Sequence, residues 1–431
     1  MKVFPAQNIR GNISLPGDKS ISHRAAMLAS IANGVTRIEN YATSVDCTST
    51  LGCMASLGVD ISHDGDSVVI NGVGKYGLRK PDAALDCGNS GTTMRLLSGI
   101  LAGQGFQTTL IGDESLSRRP MRRVIDPLAE MGATTAADEG CAPLEITGKY
   151  PLRGISYQPP VASAQIKSCV LLAGLYSDRD TTVKERIPTR DHTERMLRWF
   201  DVDVRNHEDE NGTSITISGD AELTARDLHI PADISAAAFF MVAAACLADS
   251  EITMPNVGLN SSRRAGIDVL QQLGAAISLS NERERCNEPV GDIRVTGRLS
   301  SDRAETSVIS GRTIANLIDE VPILAVFGTQ LETGLEVRDA AELRVKESDR
   351  ISAIVENLRR MGAAVTEFDD GFRVERSALT GASIESYGDH RIAMAFAVAG
   401  LLADGETEIE GAESAAVSFP AFFETLSTVV R

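Results

Sequence analysis

The 431-residue sequence predicts an α/β protein assembled from repeated units in a compact, pseudo-symmetric arrangement. Three observations carry this expectation. Helices of apolar periodicity end at one kind of stop, Leu57-Gly58, Met131-Gly132, Leu273-Gly274 and Met361-Gly362, with Met196 to Phe200 followed by Asp201 as a divergent fifth case. Each stop is followed by a similar pair of strand-like runs. A second set of helices interleaves with the first, and polar and basic residues gather at its helix starts. Glycine after an apolar-periodic helix is the expected C-terminal stop, and period-two alternation between polar turns reads as half-buried strand. The stops lie roughly seventy residues apart, longer than an ordinary solenoid repeat, which favours closed assembly over a superhelix.

In chain order, residues 1–13 read as strand and turn rather than as a targeting peptide. Lys19-Ser20 and His23-Arg24 precede an apolar helix over 25–32. After Gly58 come strand-like runs at 59–62 and 67–70. Asn89-Ser90 precedes a helix over 92–101, and Ser163 and Gln165 precede one over 170–175. After Gly274 the strand pair is expected at 275–279 and 292–295. Residues 346–361 form an amphipathic pattern through Ile351, Ile354, Val355, Leu358 and Met361, followed by strands at 363–367 and 371–374. Gly388-Asp389-His390-Arg391 precedes a helix over 392–402. The apolar bodies read as core. Their first turns offer unpaired N–H groups and the positive end of the helix dipole, so several such starts with Lys and Arg make an anion site if they face one another.

Composition narrows the classes. At this length two domains of roughly 200 residues are expected. Aromatics are 4% of the chain, so the cores must be packed mainly with Ala, Leu, Ile, Val and Met. No apolar run reaches membrane-spanning length uninterrupted, and a cytoplasmic protein is expected. Seven cysteines without a Cys-x-x-Cys pair argue for reduced thiols, and six histidines without a His-Glu-x-x-His arrangement argue against a structural zinc site; no metal and no cofactor is required. A formal charge of -17 disfavours general binding to nucleic acid or anionic membrane. Against it, Arg118-Arg119 with Arg122-Arg123 reads either as salt-bridged surface or as a turn presenting positive charge. Small acidic ligands fit better than polymers.

Pro16-Gly17-Asp18-Lys19-Ser20-Ile21-Ser22-His23-Arg24 lacks the spacing of an ATP-binding P-loop. It resembles the N-terminal signature of the 3-phosphoshikimate 1-carboxyvinyltransferase (EPSP synthase) family of enolpyruvyltransferases. The resemblance continues through Gly88-Asn89-Ser90-Gly91-Thr92-Thr93-Met94-Arg95, Ser163-Ala164-Gln165-Ile166-Lys167-Ser168, Arg344-Val345-Lys346-Glu347-Ser348-Asp349-Arg350, Gly388-Asp389-His390-Arg391 and Ser418-Phe419-Pro420, in the family's order. It implies two domains, each of three βαβαββ-like units in an inside-out α/β barrel. One domain is discontinuous, residues 1–14 with 233–431; the other is 15–232; the active site is expected in the cleft between them. The implied reaction moves the enolpyruvyl group of phosphoenolpyruvate to the 5-hydroxyl of shikimate 3-phosphate, by addition and elimination through a tetrahedral ketal phosphate, in chorismate and aromatic amino acid biosynthesis.

Both substrates are anionic, so several cations must act together, with Arg suited to bidentate capture and Lys to a compact charge. By resemblance, Lys19, Arg119, Gln165, Arg350 and Arg391 surround phosphoenolpyruvate, and Gly91 is the small residue on that side where added bulk would crowd it. Lys19, Ser20, Arg24, Ser163, Ala164 through its backbone, Gln165, Arg190, Asp319 and Lys346 meet shikimate 3-phosphate. Ser20 and Ser163 also suit helix caps. Without the resemblance, Lys346 and Arg350 read as a solvated helix face. With it, Glu347 is the candidate acid and base at the C3 methylene, and Asp319 the candidate base for the hydroxyl, sharing that task with Lys19. Closure of the domains on shikimate 3-phosphate is expected to dry the site. Val417 stands where some relatives carry Lys. Glyphosate is expected as an inhibitor and a monomer as the assembly. The related transferase acting on UDP-N-acetylglucosamine has Lys-Asn where this chain has Lys19-Ser20, and the presence together of Lys19, Asp319, Glu347, Arg350 and Arg391 argues against a silent anion-binding relative.

Overall fold

Alternation of short strands with two kinds of helix produces the architecture. The computed structural model describes residues 1–210, 212–299 and 307–431. They divide into two compact units, one of Met1–Pro16, Pro231–Glu284 and Pro289–Arg431, the other of Gly17–Ile230 with Arg285–Glu288. Among the described residues the strands form six sheets, three in each unit. In one of them Leu85–Asp86 runs parallel to Gln107–Ile111, which pairs antiparallel with Cys141–Thr147, itself antiparallel to Thr134–Asp138. The parallel step needs a crossover, supplied by the helix Gly91–Ala102. Five sheets repeat this order of four strands, and the sixth has three, Lys2–Val3, Thr407–Glu410 and Ser383–Glu385. The sequence pattern showed five copies because the sixth draws a strand from residues 2–3 and follows no Gly stop. Another copy is completed from a distance: Leu228 pairs with Ile38.

The helices separate by burial. Lys19–Ser30, Gly91–Ala102 and Ala164–Gly174 in one unit, and Ile234–Cys246, Val321–Gly328 and His390–Leu402 in the other, are buried along nearly their whole length. A helix apolar all round belongs inside a core. The helices ending at the Gly stops are amphipathic and bury one face, as Arg350–Arg360 does through Ile351, Ile354, Val355 and Leu358. Their stops take the left-handed conformation the sequence implied, with φ of +89° at Gly58, +101° at Gly132, +102° at Gly274 and +83° at Gly362. Asp201, the divergent fifth, sits at +68°. Asp is among the few non-glycine residues found there with any frequency.

Three expectations need correction. The helix expected from Lys346 begins at Arg350; Lys346 to Asp349 are a turn after a 3-10 segment, Ala341–Val345, and Asp349 caps the helix by accepting from the Ser352 amide. Lys19, Ser20, His23 and Arg24 lie within the first helix rather than before it, and Asp18, not Ser20, is its cap. The strands after Gly274 are longer than expected, Ala275–Arg285 and Glu288–Leu299. Their turn, Cys286-Asn287, has both residues at positive φ, the hairpin geometry usually announced by Asn-Gly.

Gly99 marks the closest helix approach. A Cβ there would stand 2.2 Å from the Cys169 carbonyl oxygen on the neighbouring buried helix. Gly99→Ala is therefore expected to lower stability by about 1–3 kcal/mol through overpacking, even though Ala favours a helix by about 1 kcal/mol. Thermal melting should show a fall of several degrees; an unchanged or higher midpoint would contradict the close contact.

Candidate active site

In the unit of Gly17–Ile230, cationic side chains are held at the first turns of the buried helices. Asp18 accepts from the Ile21 amide at 2.9 Å and starts the helix that carries Lys19, Ser20 and Arg24. Lys19 Nζ donates to Asp46 at 2.9 Å. Arg24, buried, donates through Nε to Thr193 Oγ1 at 2.7 Å, through Nη1 to the Ser20 carbonyl at 2.8 Å and through Nη2 to Ser168 Oγ at 2.8 Å. Burial pulls its pKa down to about 10, with the Glu194 carboxylate opposing and Arg190 adding to the fall, so it stays charged at neutral pH. Ser163 caps the Ala164–Gly174 helix by accepting from the Ile166 amide at 3.4 Å, compatible with both readings of that serine. Behind it, Lys167 is buried between Glu185 at 2.9 Å and Glu194 at 2.8 Å.

The Gly91–Ala102 helix builds a second cluster. Arg119 donates through Nη2 to Asn89 Oδ1 at 2.8 Å and Ser115 Oγ at 3.0 Å, and through Nη1 to the Asn89 carbonyl at 3.2 Å. Arg118 pairs with exposed Glu114, so of this basic run Arg118 is salt-bridged surface and Arg119 is the buried, positioned cation. Gln165 accepts from Arg95 Nη1 at 2.7 Å and donates to Thr92 Oγ1 at 3.0 Å. A Cβ on Gly91 would stand 2.9 Å from Arg95 Nη1 and 3.5 Å from Arg119 Nη1, so a side chain there displaces guanidinium groups. A buried polar chain ties the helix starts: His23 Nδ1 to Thr50 Oγ1 at 2.6 Å, Thr50 to Thr93 Oγ1 at 2.7 Å, and Thr93 to Ser90 Oγ at 2.8 Å.

The other unit gathers carboxylates around two arginines. Arg350, 1% exposed, donates through Nε to Asp389 Oδ2 at 2.7 Å and through Nη2 to Glu347 Oε2 at 2.6 Å and Asp389 Oδ1 at 3.3 Å. Burial works against its charge, but the Asp389, Glu347 and Asp319 carboxylates outweigh burial and hold its pKa above the ordinary arginine value. Asp389 also caps the His390–Leu402 helix at the Arg391 amide, 2.8 Å away, and accepts from Ser348 Oγ at 3.2 Å. Asp319 lies 3.7 Å from Arg350 Nη1 and 3.9 Å from Arg391 Nη2, and its carbonyl accepts from Arg391 Nη1 at 2.9 Å. Lys346 is half-buried; desolvation lowers its pKa, and Asp319 and Glu342 partly restore it.

The EPSP synthase (3-phosphoshikimate 1-carboxyvinyltransferase) family profile matches residues 3–426. The chain belongs to the EPSP synthase family. It is 50% identical over 432 residues to the 3-phosphoshikimate 1-carboxyvinyltransferase of Solibacter usitatus, covering 100% of this chain and 99% of that protein. The enzyme of the same name from Geobacillus kaustophilus is 48% identical over 428 residues, 98% of each chain. The solved EPSP synthase of Acinetobacter baumannii superposes with a TM-score of 0.86 at 41% identity, covering 100% of this chain and 98% of that one. The fold is thus the family's, and the chain is a transferase of the shikimate pathway and aromatic amino acid biosynthesis.

Of the EPSP synthase site residues read from sequence, Lys19, Ser20, Arg24, Gly91, Arg119, Ser163, Ala164, Gln165 and Arg190 lie in one unit, and Asp319, Lys346, Glu347, Arg350 and Arg391 in the other. Sequence reasoning missed their holders: Asp46 on Lys19, Arg95 on Gln165, Thr193 and Ser168 on Arg24, and Asp389 on Arg350. Arg95 and Asp389 stood inside the recognised motifs; Asp46 and Thr193 carried no local signal. Phe419 of the last motif is core, packed edge-to-face against Phe422 with ring centres 5.8 Å apart. No residue cluster able to hold a metal ion occurs among the described residues.

Burial, with the charges of Lys19 and Arg24 adding to it, pushes His23 well below its ordinary 6.5, so it is neutral in the folded protein. Below that value the unfolded chain takes up a proton the folded chain refuses. His23 therefore costs nothing above the unfolded pKa and opposes folding increasingly as pH falls below it, by about 1.4 kcal/mol per unit. Denaturation of wild type and His23→Gln at pH 7 and pH 5 should show wild type losing more stability on acidification; an unchanged difference would mean that folded His23 is protonated.

Proposed function

We propose that the two sets of side chains act on the same pair of substrates and divide the chemistry between them. The overall reaction is the family's: the chain transfers the enolpyruvyl group of phosphoenolpyruvate to shikimate 3-phosphate, giving 5-enolpyruvylshikimate 3-phosphate and phosphate. In our reading Ser20, Arg24, Ser163, the Ala164 backbone, Gln165, Arg190 and Lys346 hold shikimate 3-phosphate. Arg24 suits a phosphate because among the described residues its hydrogen bonds go to hydroxyls and a carbonyl, none to a carboxylate. Lys19, Arg119, Gln165, Arg350 and Arg391 hold phosphoenolpyruvate, with Gly91 leaving room for their guanidinium groups.

The roles follow from charge placement. Asp319 takes the proton of the 5-hydroxyl as its oxygen attacks C2 of phosphoenolpyruvate, while Glu347 delivers a proton to C3. The resulting ketal phosphate then loses a C3 proton back to Glu347 and expels phosphate. The ion pair with Asp46 suits Lys19 to a binding charge for phosphate, which leaves Asp319 as the principal base. The observation that carries this division is the Arg350 contact: one buried guanidinium bonds Glu347 at 2.6 Å and faces Asp319 at 3.7 Å, fixing both carboxylates around one cation. We further propose a cytoplasmic monomer; its seven free cysteines suit a reducing compartment, and a monomer is what the family resemblance implies.

Phosphate release from phosphoenolpyruvate, with mass detection of product, tests the reading when shikimate 3-phosphate, UDP-N-acetylglucosamine and no acceptor are compared. Release should require shikimate 3-phosphate. Glu347→Gln and Asp319→Asn should each lower kcat by about 10²- to 10⁴-fold, the usual worth of a positioned acid or base. Full turnover in either variant would reject that residue's role. We also propose that glyphosate competes with phosphoenolpyruvate. Rates at rising glyphosate should fall and recover with added phosphoenolpyruvate, and Gly91→Ala should raise the KM for phosphoenolpyruvate about tenfold by misplacing one charge-assisted contact. Turnover unchanged at high glyphosate would remove the first proposal, and an unchanged KM the second.

A further inference from the structure

Of the six buried helices among the described residues, five are capped by the side chain at their N-cap: Asp18, Ser90, Ser163, Asp233 and Asp389. The sixth, Val321–Gly328, has Glu320 at that position, and the Glu320 side chain makes no cap bond. Instead Glu320 accepts from Ser235 Oγ, and Ser235 accepts from Arg263 Nη2 at 2.5 Å. The Arg263 and Glu320 charges lie 3.7 Å apart, and all three residues are buried. None of them is among the groups assigned to substrate. A buried ion pair is often no more stabilising than an apolar pair of the same volume, so stability alone gives little reason for one here.

The neighbours of Glu320 supply a reason. Its amide donates to the Leu317 carbonyl at 2.8 Å and its carbonyl accepts from Leu324 at 3.0 Å, so it joins the Arg312–Leu317 and Val321–Gly328 helices. Asp319 immediately precedes it. Asp319 and Glu320 share one peptide in the turn over 318–320 between those helices, so anchoring Glu320 restricts where Asp319 points. Arg391 Nη1 holds the same peptide from the site side, through the Asp319 carbonyl at 2.9 Å. Ser235 is itself fixed, since its amide donates to Asp233 at 2.7 Å.

We propose that Arg263, Ser235 and Glu320 are positioning residues for Asp319, clamping the peptide that carries the base of the transfer. The inference rests on Asp319 being that base. The test is a cycle of purified full-length variants: Asp319→Asn, the apolar pair Arg263→Met with Glu320→Leu, and all three changes together, each with melting temperature, kcat and both KM values. The apolar pair should melt near wild type, lose about tenfold or more in kcat with KM values within about threefold, and make the further Asp319→Asn change much less costly than in wild type. Losses that multiply, or wild-type kcat in the apolar pair, would overturn the clamp. Asp319→Asn retaining wild-type kcat would instead overturn the base assignment beneath it. Should the apolar pair fail to fold, Glu320→Gln, which keeps a partner for Ser235, should retain most of kcat while Glu320→Ala loses about tenfold. Equal kcat in those two would overturn the clamp.

Discussion

A guanidinium group can remain charged inside a protein only if its partners are arranged around it, and the Arg350–Asp389 pair is where this constraint governs most of its surroundings. Asp389 gives both carboxylate oxygens to Arg350, caps the His390–Leu402 helix and receives Ser348. The same arginine then orients Glu347 and faces Asp319. Removing Asp389 would leave the buried cation to Glu347 and Asp319 alone, a loss more costly than the net worth of the pair. The carboxylates of this unit are therefore placed by a charge that must itself be neutralised.

Arg24 meets the constraint differently. Its hydrogen bonds go to Thr193, Ser168 and the Ser20 carbonyl, which satisfy its geometry without cancelling its charge. Asn89 and Ser115 position Arg119. Hydroxyl and amide partners aim a cation while leaving its field available to an anion, whereas carboxylate partners offset part of that field and fix other groups. Arg24 is thus aimed by neutral groups, while Arg350 fixes the carboxylates around it.

The repeated fold makes both arrangements available. A helix buried all round can carry charged groups only at its ends, and the N-terminal end adds free amides and a favourable dipole. Repetition supplies six such ends, each dressed by a different loop. Close contact between neighbouring helices, as at Gly99 with Cys169, fixes the ends relative to one another within a unit. The exception to the capping pattern, Glu320, falls next to Asp319, the residue we propose as base.

Local physics was legible in the residues. Glycine stops, the Asp201 variant, apolar helix bodies and the strand pairs follow from backbone sterics and periodicity acting over a few positions. The motifs located Lys19, Arg24, Gln165, Glu347 and Arg391 because those side chains cluster in short recognisable runs. The start of the helix at Arg350 was misread because Lys346 and Glu347 fit its periodicity, while the cap that begins it, Asp349, looked like one more charged residue. The pairings of Lys19 with Asp46, Gln165 with Arg95, Arg24 with Thr193 and Glu320 with Arg263 join residues from about 27 to 169 positions apart. Nothing local encodes such pairs: which acid neutralises which base depends on the distances that packing creates, and those exist only once the helices have been brought together.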